Sequence, residues 1–336
     1  MKTKKIALPF LFFLMISIFS SIVLVAAQSS TLTVSVATDK QTTYDKYDPI
    51  TISGTVQYGA TTPANALVAI EVDLPSGGGP MVLRTVQSGS GTVSGLPEQI
   101  SAAYPTSGIG GSQIGTVQNG ELGYFSVIVE DLDSQAHNNM QLAITIFDGN
   151  GVPIGISTST LSLGAGATQT ESVSIPIPTT AHSGPAYGYA DLFSSLPSSG
   201  GVPLAQEQSF EFTISGGTAS SGPAPSTSSP TAGAYSLTFK LPKQCPDGAY
   251  EVYATATWAD QSTTTASTTG FNVLLIGDFD FAGVVNGNDL FIFAAAYINY
   301  YTGQPYNTLC DINNQGKVDS TDFFLFVSAY IQYWSP

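Results

Sequence analysis

Residues 47–56 read Tyr47-Asp48-Pro49-Ile50-Thr51-Ile52-Ser53-Gly54-Thr55-Val56, and residues 66–72 read Ala66-Leu67-Val68-Ala69-Ile70-Glu71-Val72. Both are short apolar runs, largely alternating and bounded by glycine, proline or polar residues, which is the pattern of β-strands. Similar runs occupy residues 32–36 and 81–86. The sequence therefore predicts a β-sandwich that begins near Thr31.

The two quoted stretches also resemble a known domain type. The first is similar to the second strand of the Ig-like, macroglobulin-type domains common in surface proteins, and the second is similar to the strand that follows it. The resemblance implies an Ig-like fold for this part of the chain. It assigns no functional residue.

A second sandwich is predicted from renewed strand patterns further along the chain. Residues 87–121 are rich in glycine and serine with little periodicity, so this domain is assigned to residues 120–216. Its predicted strands are 124–129, 141–147, 153–159, 171–177, 187–193 and 209–214. Asp148-Gly149-Asn150-Gly151 predicts a hairpin tip, because glycine and asparagine accept positive φ.

Residues 216–233 consist mainly of Ser, Pro, Ala, Thr and Gly, a composition that predicts a flexible linker. Three further strands are predicted after it, at 235–241, 249–258 and 266–275, too few to close a sandwich alone. One interpretation places them in the first sandwich, giving seven strands over 31–90 plus 232–275, with the second sandwich inserted. The alternative is three sequential domains. Contacts between residues 50–74 and 235–258 distinguish the two.

The amino-terminal segment has the layout of a secretory signal. Lys2, Lys4 and Lys5 precede an apolar run over residues 6–25, and small residues precede Gln28. This pattern predicts a signal peptide, residues 1–27, with cleavage after Ala27, while an uncleaved anchor remains the alternative. We therefore expect a secreted protein, extracellular or associated with the cell surface.

The charge balance is strongly acidic. The chain has nine basic and 24 acidic residues, and removal of the three signal lysines would change the formal net charge from −15 to −18. Such a chain should repel nucleic acid and suits calcium, so no nucleic-acid partner is expected. Cys245 and Cys310 are the only cysteines. In an exported protein they could form a disulfide, which the sequence alone leaves open.

Two twelve-residue loops, 278–289 and 311–322, recur 33 positions apart near the carboxyl end. Calcium-binding loops supply oxygen ligands from positions 1, 3, 5, 7, 9 and 12, and they turn at a glycine in position 6, here Gly283 and Gly316. The position-7 ligand is a main-chain carbonyl. The predicted ligands are Asp278, Asp280, Val284, Asn286 and Asp289 in the first loop, and Asp311, Asn313, Gln315, Lys317, Asp319 and Asp322 in the second.

Details of the loops predict a difference in affinity. Ala282 at position 5 of the first loop removes one side-chain ligand, whereas Gln315 in the second loop offers an amide oxygen. We therefore expect the first calcium site to be the weaker one. The apolar residues at position 8, Val285 and Val318, predict a short strand contact between the loops.

Each loop leads into an aromatic-rich helical pattern, at 290–301 and 323–334. A loop followed by one helix, twice, resembles the dockerin type I plan, and the resemblance covers most of a module assigned to residues 276–336. It implies an α-helical EF-hand pair that binds two calcium ions and docks to a cohesin. Dockerin helices carry polar and basic residues at the contact, where this sequence has Ala294-Ala295 and Val327-Ser328. The expected partner is therefore cohesin-like, another surface protein, or the adjacent sandwich.

Signals for catalysis are weak. No zinc-protease, serine-hydrolase or phosphate-loop motif occurs. Glu130, Asp131 and Asp133 with His137 could form a metal site or a carboxylate pair for glycoside hydrolysis, but a solvated strand end is favoured. No catalytic residue is assigned. The sequence predicts a mainly β, non-catalytic adhesion or scaffold protein, or alternatively a dockerin-bearing subunit of a polysaccharide-degrading assembly, with polysaccharide as a further partner.

Overall fold

A computed structural model describes residues 31–334 except 41, 42, 47, 220, 221, 229, 230, 281 and 314. The described chain is mainly β, with two helices near its carboxyl end. No described helix combines the length and apolar character that crossing a membrane would require. The predicted signal peptide, residues 1–27, lies outside the described residues.

The secondary structure follows the chain in a long run of strands and two final helices. The strands are β1 (Leu32–Val34), β2 (Ala37–Thr38), β3 (Thr43–Asp45), β4 (Pro49–Tyr58), β5 (Leu67–Asp73), β6 (Pro80–Gln87), β7 (Glu98–Thr106), β8 (Thr116–Gln118), β9 (Leu122–Asp131), β10 (His137–Phe147), β11 (Pro153–Leu163), β12 (Thr168–Pro176), β13 (Gly184–Phe193), β14 (Gln208–Ser215), β15 (Ser226–Ser228), β16 (Ala234–Lys240), β17 (Gly248–Trp258), β18 (Gln261–Ser262) and β19 (Ser267–Leu274). The helices are α1 (Gly287–Tyr301) and α2 (Ser320–Trp334).

Two facing sheets form the first sandwich. One has the strand order β1-β4-β16-β15 with β2 also on β4, and the other has β3-β19-β17-β5-β6 with β18 on β17. Ile52 of β4 and Ile70 of β5 are fully buried in the same hydrophobic cluster. The alternation of β4 thus buries one of its faces against the second sheet.

The first sandwich is built from two distant parts of the chain. Ile52 pairs with Leu237 in the β4–β16 ladder, and Ile70 pairs with Ala254 in the β5–β17 ladder. Strands from before residue 88 and strands from after residue 231 therefore pair in both sheets. These are the contacts between residues 50–74 and 235–258 on which the insertion hypothesis depends. Beyond the seven expected strands the described residues include β2, β3, β15 and β18, which are only two or three residues long and too short to show an alternating pattern.

The second sandwich also has two sheets, with strand orders β11-β10-β13-β14-β8 and β12-β9-β7. It includes β7 and β8, so it begins near residue 98 and not at the expected residue 120. Residues 98–106 alternate in burial in part, but their buried side chains include a glutamate, an alanine, a proline and a threonine. Small and polar inward residues hide the strand from a search for apolar alternation.

The segment 216–233 is not wholly an unpaired linker. Within its described part, β15 pairs with β16 at the edge of the first sandwich. The Gly222 main-chain N–H donates to Asn150 Oδ1 at the predicted hairpin tip. Backbone pairing requires no apolar side chain, which explains why composition predicted only flexibility here.

The sandwiches pack against each other through β5 and β6 of the first and β10 and β13 of the second. Ala69 and Leu83 form a buried cluster with Ala143 and Phe193. The Leu83 N–H donates to Thr145 Oγ1 at 3.2 Å, and that hydroxyl donates to the Leu83 carbonyl at 2.8 Å. This contact explains why β5 and β6 are buried on both faces.

An ion pair lies inside this interface. Arg84, the only arginine of the chain, is 2% exposed, and its Nη2 lies 2.8 Å from Glu207 Oε1. Its guanidinium carbon lies 3.2 Å from the centroid of the Tyr189 ring. The buried Asp191 carboxylate accepts from the Thr85 N–H at 2.9 Å. One cation and two acidic side chains are therefore held between the sandwiches.

Glu71 supplies a second polar contact across the interface. Its carboxylate accepts from the Ser198 N–H at 2.6 Å and from Ser198 Oγ at 3.0 Å. Burial, reinforced by the nearby Asp73 carboxylate, raises the pKa of Glu71 to about 7 from an ordinary value of 4.5. The folded protein therefore holds this proton more tightly than the unfolded chain does.

We expect the protein to lose stability as the pH rises from about 4.5 to about 7 in part because of Glu71. The folded-state pKa is above the unfolded-state value, so the free energy of unfolding falls across this window, by on the order of 1 to 3 kcal/mol. Urea unfolding of Glu71→Gln at pH 5 and pH 8 should show a smaller difference than wild type. The same change at exposed Glu211 should leave the difference unaltered. If the stability difference between pH 5 and pH 8 were as large in Glu71→Gln as in wild type, Glu71 would not be its source.

The two cysteines do not form the disulfide that the sequence allowed. Both are buried free thiols, Cys245 in the core of the first sandwich and Cys310 in a separate cluster around α1 and α2. Burial raises the pKa of Cys245 to about 11 and that of Cys310 to about 12. Each behaves as a small apolar side chain packed in its own core.

Candidate metal centre

The two predicted calcium loops immediately precede the two helices. The first follows β19 and leads into α1, and the second follows a 3₁₀ turn at Thr308–Cys310 and leads into α2. Gly283 and Gly316 each have φ of 78°. A Cβ at either glycine would meet no neighbouring atom, so the requirement for glycine comes from the left-handed backbone alone.

Carboxylates at the two ends of the first loop hold its backbone in place. Asp278 accepts from the N–H groups of Ala282 at 3.0 Å and Gly283 at 2.7 Å. Asp289 accepts from the N–H groups of Phe279 at 2.7 Å and Asn286 at 2.8 Å. The loop is therefore folded around its position-1 and position-12 side chains.

The second loop repeats this arrangement. Asp311 accepts from the Gly316 N–H at 2.6 Å, and Asp322 accepts from the N–H groups of Asn313 at 3.1 Å and Asp319 at 2.9 Å. Each bond has its counterpart 33 positions earlier, in Asp278 to Gly283, Asp289 to Asp280 and Asp289 to Asn286. The two loops thus share one conformation.

Three predicted ligands of the first loop converge. Asp278, Asp280 and Asp289 each bring a carboxylate oxygen within 4.8 Å of the other two. Asp289 is fully buried, and burial raises the pKa of Asp278. A donor set made only of oxygen suits a hard cation such as Ca²⁺. Val284 lies half-buried at position 7, between the turning glycine and a buried valine.

At position 7 the second loop has Lys317, where the first loop has Val284. Lys317 Nζ lies 2.6 Å from Asp319 Oδ2, and this hydrogen bond lowers the pKa of Asp319. Gln315 is exposed, and its N–H donates to Asp311 Oδ1 at 2.9 Å. The lysine offsets part of the negative charge that the second loop would present to a cation.

The predicted ligands at positions 9 and 12 also begin the helices. Asn286 accepts from the Asn288 N–H at 2.7 Å, and with Asp289 it forms a capping box at the start of α1. Asp319 accepts from the Thr321 N–H at 2.7 Å in the same way. Such caps contribute about 1 kcal/mol each. Loop conformation and helix formation are therefore linked.

The module has a core of its own. It is formed by Leu275, Phe279, Val285, Phe293, Ala296, Cys310, Val318 and Phe326. Val285 and Val318 are fully buried there, but neither takes part in a β-bridge. The expected strand contact between the loops is thus replaced by side-chain packing.

The outer faces of the helices are apolar and exposed. Phe291 and Phe324, which are 33 positions apart, are 74% and 68% exposed, and Ile298 and Ile331 are 60% and 59% exposed. We call these positions, together with Tyr301 and Trp334, the outer helix faces. The first sandwich contacts the module at other positions, for example where the Ile276 N–H donates to Asp45 Oδ1 at 3.1 Å and where Lys243 Nζ lies 5.5 Å from the centroid of the Tyr333 ring.

The acidic group predicted around residues 130–137 is only partly brought together. Asp131 and His137 meet Glu98, and Asp133 pairs with His137, whereas Glu130 precedes Asp131 on β9 and faces the other way. Glu98 was not among the residues predicted from the sequence. Of the predicted group only Asp131 is buried, together with Glu98, whereas Asp133 is exposed, so the expected solvated strand end is found only in part. Burial and the Asp131 carboxylate raise the pKa of Glu98 to about 7. No signal in the sequence connects residues 98 and 131, which meet only because β7 pairs with β9.

No protein-family model and no curated protein matches the chain. Three solved structures are similar to parts of it. An alkylpurine DNA glycosylase AlkC of Pseudomonas fluorescens, bound to DNA with an abasic site analogue, is 15% identical over 35% of this chain and 30% of its own, with a TM-score of 0.25. A Paenibacillus cycloisomaltooligosaccharide glucanotransferase with cycloisomaltoheptaose is 14% identical over 37% and 15%, with a TM-score of 0.26. A CARDB domain from Pyrococcus furiosus with di-metal ions is 15% identical over 38% and 95%, with a TM-score of 0.25.

The chain thus spans less than a third of the length of the glycosylase and of the glucanotransferase. The three similarities each cover less than two fifths of this chain. They assign no activity and no ligand to it.

Proposed function

We propose that this chain is a non-catalytic scaffold or adhesion protein of the cell exterior, made of two Ig-like sandwiches and a dockerin-like module that docks onto another protein. The observation that carries the proposal is the pair of exposed outer helix faces above two loops of matching, oxygen-rich geometry. The mainly β fold and the low content of ionisable residues are consistent with a scaffold.

Calcium is the cation that the module's loops fit. The residues that would hold it are Asp278, Asp280, Asn286, Asp289 and the Val284 carbonyl in the first loop, and Asp311, Asn313, Gln315, Asp319, Asp322 and the Lys317 carbonyl in the second. A bound calcium ion would neutralise carboxylates that are buried close together. The structural role of the metal is then to hold each loop in the conformation that starts its helix.

The outer helix faces suit a protein partner with an apolar surface. Lys317 is the only basic residue in the module, and Asp289 and Asp322 are the only charged residues on the helices. Both of these aspartates are fully buried. Exposed aromatic side chains in contiguous patches are typical of docking surfaces, where a few large side chains provide most of the binding energy. A cohesin-like protein whose contact is more apolar than usual fits this surface.

We expect the double variant Phe291→Ser with Phe324→Ser to weaken docking strongly without unfolding the module, because both side chains lie mostly in solvent. Biolayer interferometry against a panel of cohesins in calcium should show at least about a 30-fold loss of affinity, as expected for two hot-spot residues. Binding of the wild type should vanish in EGTA. Ile109→Ser, which removes an exposed apolar side chain outside the module, is the matched control.

Circular dichroism in calcium checks that the double variant keeps its helices. If no cohesin binds and the wild type instead forms dimers in sedimentation velocity that the double variant lacks, the outer helix faces pair two copies of this chain. If neither interaction occurs, the docking function is wrong.

A further inference from the structure

A second cluster of metal-ligating side chains lies in the second sandwich, away from the calcium loops. Glu98 begins β7, Asp131 ends β9 directly opposite it in the ladder, and His137 begins β10. One donor atom of each lies within 4.8 Å of the other two. Because β7 and β9 belong to one sheet and β10 to the facing sheet, the cluster joins the two layers at one edge.

The carboxylates of this cluster have unused acceptor capacity. Glu98 is 1% exposed, and neither of its oxygens has a hydrogen-bond partner among the described residues. Asp131 uses Oδ1 to accept from the Asp133 N–H at 2.9 Å, while Oδ2 is buried without a partner. A buried carboxylate that makes no hydrogen bond is costly, and it is uncommon unless a cation, a proton or water satisfies it.

The histidine is oriented toward these oxygens by a further carboxylate. His137 Nε2 lies 3.1 Å from Asp133 Oδ2, and its Nδ1 lies 4.0 Å from Glu98 Oε1. A carboxylate on one ring nitrogen that directs the other nitrogen to a ligand is the usual outer support of a metal-bound histidine. His137 is partly exposed, which leaves a path by which an ion could enter.

The donor types identify the class of cation. One imidazole nitrogen with two carboxylates suits a borderline cation such as zinc better than calcium, which prefers oxygen alone. Three protein ligands and one water are the arrangement of zinc sites that keep one position open to solvent, with metal–ligand distances of about 2.0 to 2.2 Å. Two donors on a tetrahedral zinc ion are then about 3.3 to 3.6 Å apart, so the side chains would move by up to about 1.5 Å to close around it.

We propose that Glu98, Asp131 and His137 form a zinc-type site, positioned by Asp133, that fastens the two sheets of the second sandwich together. The site is independent of the calcium loops and of any docking partner. Its effect is structural: zinc replaces the missing partners of Glu98 and Asp131 and ties the β9–β10 connection to β7.

The test is a zinc titration of the untagged full chain with the loops saturated by calcium. Calorimetry should show one zinc site, and zinc should raise the melting temperature. We expect Glu98→Gln and His137→Gln to lower zinc affinity by at least about 100-fold, and Asp133→Asn to lower it by about tenfold. His182→Gln is the matched control. His182 Nδ1 also pairs with a carboxylate, Asp148 Oδ2 at 2.8 Å, but this histidine is not part of the cluster with Glu98 and Asp131. In the imidazole NMR spectrum, which contains only two histidines, zinc should shift the His137 signal alone.

A further variant distinguishes loss of the zinc site from misfolding. Glu98→Leu removes the buried carboxylate, so it should melt at a higher temperature than wild type in metal-free buffer and should not respond to zinc. The proposal is overturned if zinc binds Glu98→Leu as it binds wild type, if His182→Gln abolishes binding, or if wild type shows neither heat nor stabilisation. In the last case Glu98 is a buried carboxyl that keeps its proton.

Discussion

If the loops bind calcium as proposed, we expect its removal from the full chain to unfold the module of α1 and α2 while both sandwiches remain folded. Asp289 and Asp322 are fully buried at loop position 12, and in the first loop three carboxylates converge within 4.8 Å. Without a cation these charges repel one another in a poorly solvated site. The same side chains cap the helices, so loss of loop geometry also removes the helix starts.

The measurement is far-UV circular dichroism during an EGTA titration, combined with tryptophan fluorescence. Trp334 Nε1 donates to the Val285 carbonyl at 2.8 Å, which links the end of α2 to the first loop. In a Trp258→Phe variant, Trp334 is the only tryptophan and reports on this contact alone. At a thousandfold excess over its dissociation constant, calcium would stabilise each site by about 4 kcal/mol. An unchanged spectrum and fluorescence in EGTA would remove calcium from the proposed function.

The two loops should differ in how much they contribute to calcium-dependent stability. Asp311→Ala should cost more calcium-dependent stability than Asp278→Ala, because Ala282 offers no side-chain oxygen where the second loop has Gln315. The contact between Lys317 and Asp319 works in the opposite direction. Isothermal calorimetry of the two single variants measures the ranking, and equal losses would count against it.

Replacement of Arg84 by methionine is expected to destabilise the interface between the sandwiches strongly. The variant keeps most of the side-chain volume but leaves Glu207 and the buried Asp191 without their cation. Breaking a buried ion pair by removing one partner typically costs about 3 to 5 kcal/mol. Urea unfolding at pH 7 should show this loss.

A double variant separates the lost attraction from the charge left behind. Arg84→Met combined with Glu207→Gln should recover a large part of the stability, because the interface then has one fewer uncompensated carboxylate. Lys40→Met serves as the control, since Lys40 pairs with Asp48 at the surface. That pair should contribute no more than about 1 kcal/mol. Equal losses for Arg84→Met and Lys40→Met would mean that the interface is open to water.

The sequence by itself determined most of the local structure. Alternation of apolar residues located β4 to within one residue at its start, and the loop spacing located the glycine turns at 283 and 316 and the helices that follow them. These features depend on side chains a few residues apart. The period of a strand and the φ requirement of a turn are local properties, so they can be predicted without knowledge of the rest of the molecule.

Only the tertiary structure decided which of these elements meet. It placed Glu98 opposite Asp131, Arg84 beside Glu207, and the two cysteines in separate cores. It also showed that the outer helix faces are uncovered. Partners far apart in the chain are chosen by how whole sheets pack, and a strand's own pattern says which face is buried but not against what. For this protein the loops were therefore predictable from sequence, whereas the interface and the Glu98 cluster were not.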